Sequence, residues 1–174
     1  MSASSPARHA ARVALATLAL IASIGVLVWT RGAGDEAREL LGFRFDRPGR
    51  HPGDAIGVAA TNLRLVAAAL VAAWSLRICP RLRLPLDITL AAVLALNTVA
   101  AGVALGAYGP RLLGAVAPHG PVELAGFALA GGAYLAARAG QPGAGRLALA
   151  AGGAVVLVAA GAALETYLQI GADR

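Results

Sequence analysis

The sequence predicts an all-α membrane protein, a polytopic bundle of about five transmembrane helices forming one integral membrane domain over residues 1–174, and three observations predict it. Hydrophobic residues make up 58% of the chain, charged residues 14%, and the mean hydropathy is +0.69, well away from the balance of a soluble domain. The apolar residues come in blocks of spanning length, and roughly 20 such residues carry a helix across about 30 Å of hydrocarbon. Period-2 alternation is absent, so the backbone groups must be satisfied inside helices rather than around a closed barrel.

The first block, residues 13–29, follows Arg8 and Arg12. It is long for the apolar region of a cleavable signal peptide, and Trp29 and Arg31 stand where small residues would mark cleavage, so it is expected to stay as a signal anchor. The polar stretch 31–54 reads as a loop, with consecutive turn signals over Arg47-Pro48-Gly49-Arg50-His51-Pro52-Gly53. The second block covers 55–76 and contains Asn62 and Arg64. Only 12 residues separate Arg64 from Arg77, about 18 Å of helix, too short to cross. Arg64 therefore either lies inside the span, where it is expected to pair with Glu123 or Glu165, or the helix is short and partly outside, with the arginine at an interface reaching headgroups. The third block, 86–105, carries Asn97 and Thr98 near its middle, polar groups of the kind that join membrane helices. The fourth, 122–137, opens with Pro118-His119-Gly120-Pro121-Val122-Glu123. Pro121 suits the first turn of a helix, Gly120 suits its cap, and Glu123 complements the positive end of the helix dipole. The fifth, 147–170, contains Glu165. Gly126, Gly131, Gly132, Gly152, Gly153 and Gly161 permit close helix packing in the last two spans.

Every basic charge besides histidine is arginine. With the N-terminus inside, Arg8, Arg12, Arg77, Arg81, Arg83, Arg138 and Arg146 face Arg31, Arg38, Arg44, Arg47, Arg50, Arg111 and Arg174 across the bilayer, so arginine number alone does not orient the chain. The outer set is interleaved with Asp35, Glu36, Glu39, Asp46 and Asp54, whereas Arg77, Arg81 and Arg83 have only Asp87 beside them. The expected orientation is a cytoplasmic N-terminus in the cytoplasmic membrane. The arginines flank spans without interleaved aromatics, which argues for anionic lipid headgroups and against nucleic acid as their neighbours.

Cys79 is the single cysteine, so neither an intramolecular disulfide nor a thiolate cluster can form. Ionisable residues at membrane depth are functional candidates by default, and the polar set to follow is Asn62, Arg64, Asn97, His119, Glu123 and Glu165. His119, Glu123 and Glu165 are of the types that bind a hard or borderline metal ion, yet a His-x-x-x-Glu spacing is a weak signal, and the sequence assigns no metal, cofactor or catalytic residue. No Ser-His-Asp order, His-Glu-x-x-His, P-loop or paired cysteines point to an enzyme.

Asn62-Leu63-Arg64, Asn97, Pro118-His119-Gly120 followed by Glu123-Leu124, and Leu164-Glu165-Thr166-Tyr167 together resemble the stage II sporulation protein M family over about residues 55–169, with Asn97-Thr98 where the family often shows Asn-Gly. The resemblance implies a multi-pass protein of the cytoplasmic membrane, similar to an anchor and organiser that acts with the stage II sporulation proteins D and P while those partners hydrolyse peptidoglycan. An Ala- and Arg-rich chain is more similar to relatives outside the spore formers, so sporulation does not follow. The expected function is a non-catalytic membrane scaffold linked to envelope remodelling, with the bilayer, other membrane or envelope proteins, or further copies of itself as partners. The alternatives are a transporter subunit with a polar path at Arg64, Glu123 and Glu165, and, less favoured, an intramembrane metal-dependent hydrolase.

Overall fold

A computed structural model describes residues 6–41, 52–140 and 143–168. Among them the chain is helical: α1 (Pro6–Thr30), α2 (Gly34–Leu41), α3 (Pro52–Ile78), α4 (Arg83–Tyr108), α5 (Pro110–Val116), α6 (Gly120–Arg138) and α7 (Ala144–Leu168), with a 3-10 turn over Pro80–Leu82. α1, α3, α4 and α7 are each long and apolar enough to cross a membrane, and α5 with α6 forms a pair bent by 73° that qualifies jointly. The 19 residues of α6 alone measure about 28 Å. This is the helical bundle the hydropathy pattern predicts. The stretch 31–54, read as a loop, contains α2, whose Asp35 and Glu36 in the first turn and Arg38 in the last complement the helix dipole; the turns expected over 47–51 lie outside the described residues, while Pro52 and Gly53, read as turn residues, instead open α3.

Contacts between glycines and their neighbours give the helix directions. Gly102 and Gly106 of α4 lie against Ile24 and Val28 of α1 in the same order, so these two helices run parallel. Gly126, Gly153 and Gly161 match Val158, Leu129 and Glu123 in reverse order, so α6 and α7 run antiparallel. Asp87, near the start of α4, meets Tyr134 and Arg138 at the end of α6. Asn62 meets Glu123, and Ala73 further along α3 belongs to the same cluster as Ala133 and Tyr134, so α3 runs with α6. Direction therefore alternates through α1, α3, α4, α6 and α7, as a five-pass chain requires.

α6 is the axle of the bundle. It packs against α1, α3 and α7, while α4 packs mainly along α1, meeting α3 and α6 at its start, and α2 covers the end of α4. Apart from Tyr134, the α6 face that enters this packing is small: Gly126, Ala128, Ala130, Gly132, Ala133 and Ala136 are buried with it. Ala154, Val158 and Ala162 answer from α7 and Val66 from α3. Lipid tails are as apolar as leucine, so membrane helices gain little from hydrophobic contact alone and associate through close approach of small residues. The large side chains accordingly point outward, with Leu15, Trp29, Val71, Leu96 and Leu149 among the exposed ones.

α1 and α4 approach each other closely, backbone to backbone. A Cβ on Gly106 would stand 2.5 Å from Val28 Cβ and 2.6 Å from the Gly25 carbonyl oxygen, and one on Gly102 would stand 2.6 Å from Ile24 Cβ. Gly102 and Gly106 form a small-x-x-x-small pair that fits this crossing. Gly109, at φ +55°, ends α4 in a region that disfavours side chains, and its N–H closes on the Leu105 carbonyl at 2.8 Å. The next residue, Pro110, begins α5 in the new direction.

Candidate functional site

Two polar clusters sit at opposite ends of the bundle. The first gathers the start of α6, the end of α7 and the first half of α3. His119 is the N-cap of α6, in place of the expected Gly120, and its carbonyl oxygen accepts from the N–H groups of Val122 at 3.0 Å and Glu123 at 3.1 Å. The side chain turns inward and is only 6% exposed. Its Nδ1 is buried with no hydrogen-bond partner, an arrangement that costs about 1–3 kcal/mol when nothing compensates it. Glu123, one turn on, is half-buried and lies across from Gly161 of α7, where an added Cβ would overlap the Glu123 side chain. Glycine at 161 is what lets the carboxylate enter the helix interface.

Glu165, half-buried, completes the group. One ligand atom each from His119, Glu123 and Glu165 lies within 4.8 Å of the others. Glu123 Oε1 accepts a 2.8 Å hydrogen bond from Asn62 Nδ2 on α3. The carboxylate is thus recruited to another helix, whereas the sequence suggests a local role at the start of its own. Thr166 is buried beside this group in sequence and donates to the Ala162 carbonyl at 2.9 Å.

Four of the six candidates, Asn62, His119, Glu123 and Glu165, come together, and two do not. Arg64 is exposed on α3 and makes no ion pair with Glu123 or Glu165. Residues two apart on a helix do not share a face, so the same turn that aims Asn62 inward sends Arg64 out. Its depth matches the interfacial alternative. The apolar stretch of α3 is Ala59–Ile78, which puts Arg64 about 7.5 Å from its end, within reach of the headgroups by extension of the side chain. Asn97 is exposed on α4, and its Nδ2 donates to the Val93 carbonyl of its own helix at 2.8 Å. It joins no second helix among the described residues, while its neighbour Thr98 is buried.

The second cluster is absent from the sequence-based candidates. Tyr134 Oη donates to Asp87 Oδ1 at 2.7 Å, and Arg138 Nε donates to Asp87 Oδ1 and Oδ2, each at 2.9 Å. Asp87, matched in the sequence to Arg77, Arg81 and Arg83, is instead held by Arg138 from the last turn of α6. The signal was present in two opposite charges at span ends on the same side. A third arrangement anchors α2, where Arg38 Nε donates to the Ala107 carbonyl at 2.9 Å, pairs with Asp35 at 2.8 Å and lies over the Tyr108 ring at 6.0 Å. It satisfies a carbonyl of the last turn of α4 that has no partner within that helix.

Fold and site together define a helical membrane bundle with an imidazole–dicarboxylate cluster at one end and an Asp–Tyr–Arg clasp at the other. Comparison with known proteins finds no family model, curated protein or solved structure that matches the chain.

Proposed function

We propose that this chain is a non-catalytic, multi-pass scaffold of the cytoplasmic membrane, similar in role to the organiser that the stage II sporulation protein M resemblance implies. The observation that carries the reading is Asn97. It lies deep in the apolar stretch Pro80–Tyr108, about 16 Å from the Tyr108 end, yet it faces out of the bundle with only its own helix as partner. An amide in hydrocarbon gains about 1 kcal/mol by bonding to a second helix, and on this face that helix belongs to another chain. Exposed Leu94, Leu96 and Val99 surround it with apolar contact area. The outward aim of Arg64 argues in the same direction, since it removes the cation from the polar path that a transporter would use.

Cross-linking and flux separate these readings. A photoreactive residue in place of Leu96 should give a discrete adduct with a second membrane chain in native membranes, reduced about fivefold or more by Asn97→Leu, consistent with loss of roughly 1 kcal/mol. Proteoliposomes of the purified chain should show no solute or proton flux above empty vesicles. Flux that disappears in Glu165→Gln would replace the scaffold reading with transport.

A further inference from the structure

We propose that His119, Glu123 and Glu165 form a binding site for one divalent transition-metal ion, with zinc the ion best suited to the donor set. Among the described residues they are the one group of three His, Cys, Asp or Glu side chains whose ligand atoms converge, all within 4.8 Å of one another. Three protein ligands and an open position are a common zinc arrangement, with metal–ligand distances of about 2.0–2.2 Å. Those lengths require ligand atoms about 3.4 Å apart in a tetrahedron, so a small inward rotation of the side chains closes the site.

Two independent features point to a missing cation. The first is the buried, unpartnered Nδ1 of His119, since a ring sequestered this fully normally finds a partner for each nitrogen. The second is charge. Neither Glu123 nor Glu165 is in a salt bridge with a described residue, and Arg64 faces away. Glu165 also stands in the last turn of α7, where the helix end carries partial negative charge and a carboxylate is disfavoured. A dication between the carboxylates offsets all three negative contributions. The imidazole selects against magnesium and calcium, which prefer all-oxygen shells.

Asn62 supplies the outer support. Its amide fixes Glu123 through one oxygen, and a carboxylate with a second oxygen can still ligate. The ion would tie the start of α6 to the end of α7 and, through Asn62, to α3. This assignment is independent of the scaffold reading, because an ion held between α6 and α7 ties the helices together whether or not its open fourth position also takes part in chemistry.

The test uses the full chain purified in mild detergent through a tag without histidine, stripped with a chelator and titrated with zinc alone. About one zinc per chain is expected by elemental analysis, together with a rise in melting temperature. His119→Ala and the near-isosteric Glu165→Gln should each lose stoichiometric binding, Asn62→Ala should weaken it about 10–100-fold, and a His9→Ala, His51→Ala double variant should keep it. Cobalt added to the wild type reports the site without any variant: one equivalent should give visible d–d bands of a low-coordinate site, displaced by zinc. Zinc well below stoichiometric in the reconstituted wild type, binding unchanged in His119→Ala, or cobalt that remains spectroscopically hexaaquo overturns the assignment.

Discussion

Asn62 and Arg64 stand two residues apart on α3, and the roughly 200° of helical rotation between them sends one to Glu123 and the other to the bundle surface. An interhelical hydrogen bond at membrane depth contributes about 1 kcal/mol, so a double-mutant cycle of Asn62→Ala with Glu123→Ala, which removes the accepting oxygen, should show coupling of that order in reversible detergent unfolding. Arg64→Ala combined with either glutamate change should be additive within about 0.5 kcal/mol. Coupling at Arg64 equal to that at Asn62 would restore the ion pair that the arginine's depth suggests. Rotation along the helix was legible in the sequence, and it would have separated Asn62 from Arg64 and Asn97 from Thr98 onto different faces. The partner of each face was not, because nothing in the chain order says that Gly161 of α7 opens the space into which Glu123 fits. His119 shows the same limit. Its spacing from Glu123 places the two on neighbouring turns, but the burial of its ring and the arrival of Glu165 depend on the antiparallel packing of α6 on α7.

The spanning elements were legible nearly in full, since four hydrophobic stretches of spanning length and the bent α5–α6 pair account for the five blocks of the sequence, whereas α2, inside a stretch read as a loop, and α5 were not. Their contacts were legible only where small residues repeat. The glycines singled out in the last two spans divide in the fold, with Gly126, Gly132 and Gly161 buried and Gly152 in open space. Another tight crossing falls elsewhere, at Gly102 and Gly106 against α1, and the four-residue spacing of those two is itself a recognised packing signal. Gly106→Val should therefore destabilise the protein by about 1–3 kcal/mol, since the added atoms meet the Gly25 carbonyl and the branched Val28 rather than a flexible side-chain end. Gly152→Ala meets nothing within 4 Å and should be neutral or stabilising by up to about 1 kcal/mol, as expected for removing a glycine from a helix interior. Equal losses at the two positions, measured by thermal or denaturant unfolding in detergent, would contradict the α1–α4 contact.

At the scale of the whole molecule, the alternation of α1, α3, α4, α6 and α7 puts the two polar clusters at opposite ends of the bundle, which is on opposite sides of a membrane if all five cross it. The end of α4, the start of α6 and the end of α7 share one side, with the His119 cluster, and the ends of α3 and α6 share the other, with Asp87 and Arg138. Charge does not choose between the two orientations by number, because arginines divide evenly; the orientation expected from the sequence puts the acid-poor side, which carries Arg77, Arg81 and Arg83, in the cytoplasm. The expected arrangement places position 4 and Arg81 inside and position 47 and Gly114 outside. His119 itself is too buried to report on sidedness, whereas Gly114 and Pro118 on the same α5–α6 segment are exposed. Single cysteines at positions 4, 47, 81 and 114 in a Cys79→Ser background, treated with a membrane-impermeant maleimide on intact cells, should label at 47 and 114 and stay dark at 4 and 81 until the membrane is opened. Labelling at 81 without 47 would invert the protein, and labelling at 114 on the side opposite to 47 would mean that α5 and α6 turn back within the membrane instead of completing a span.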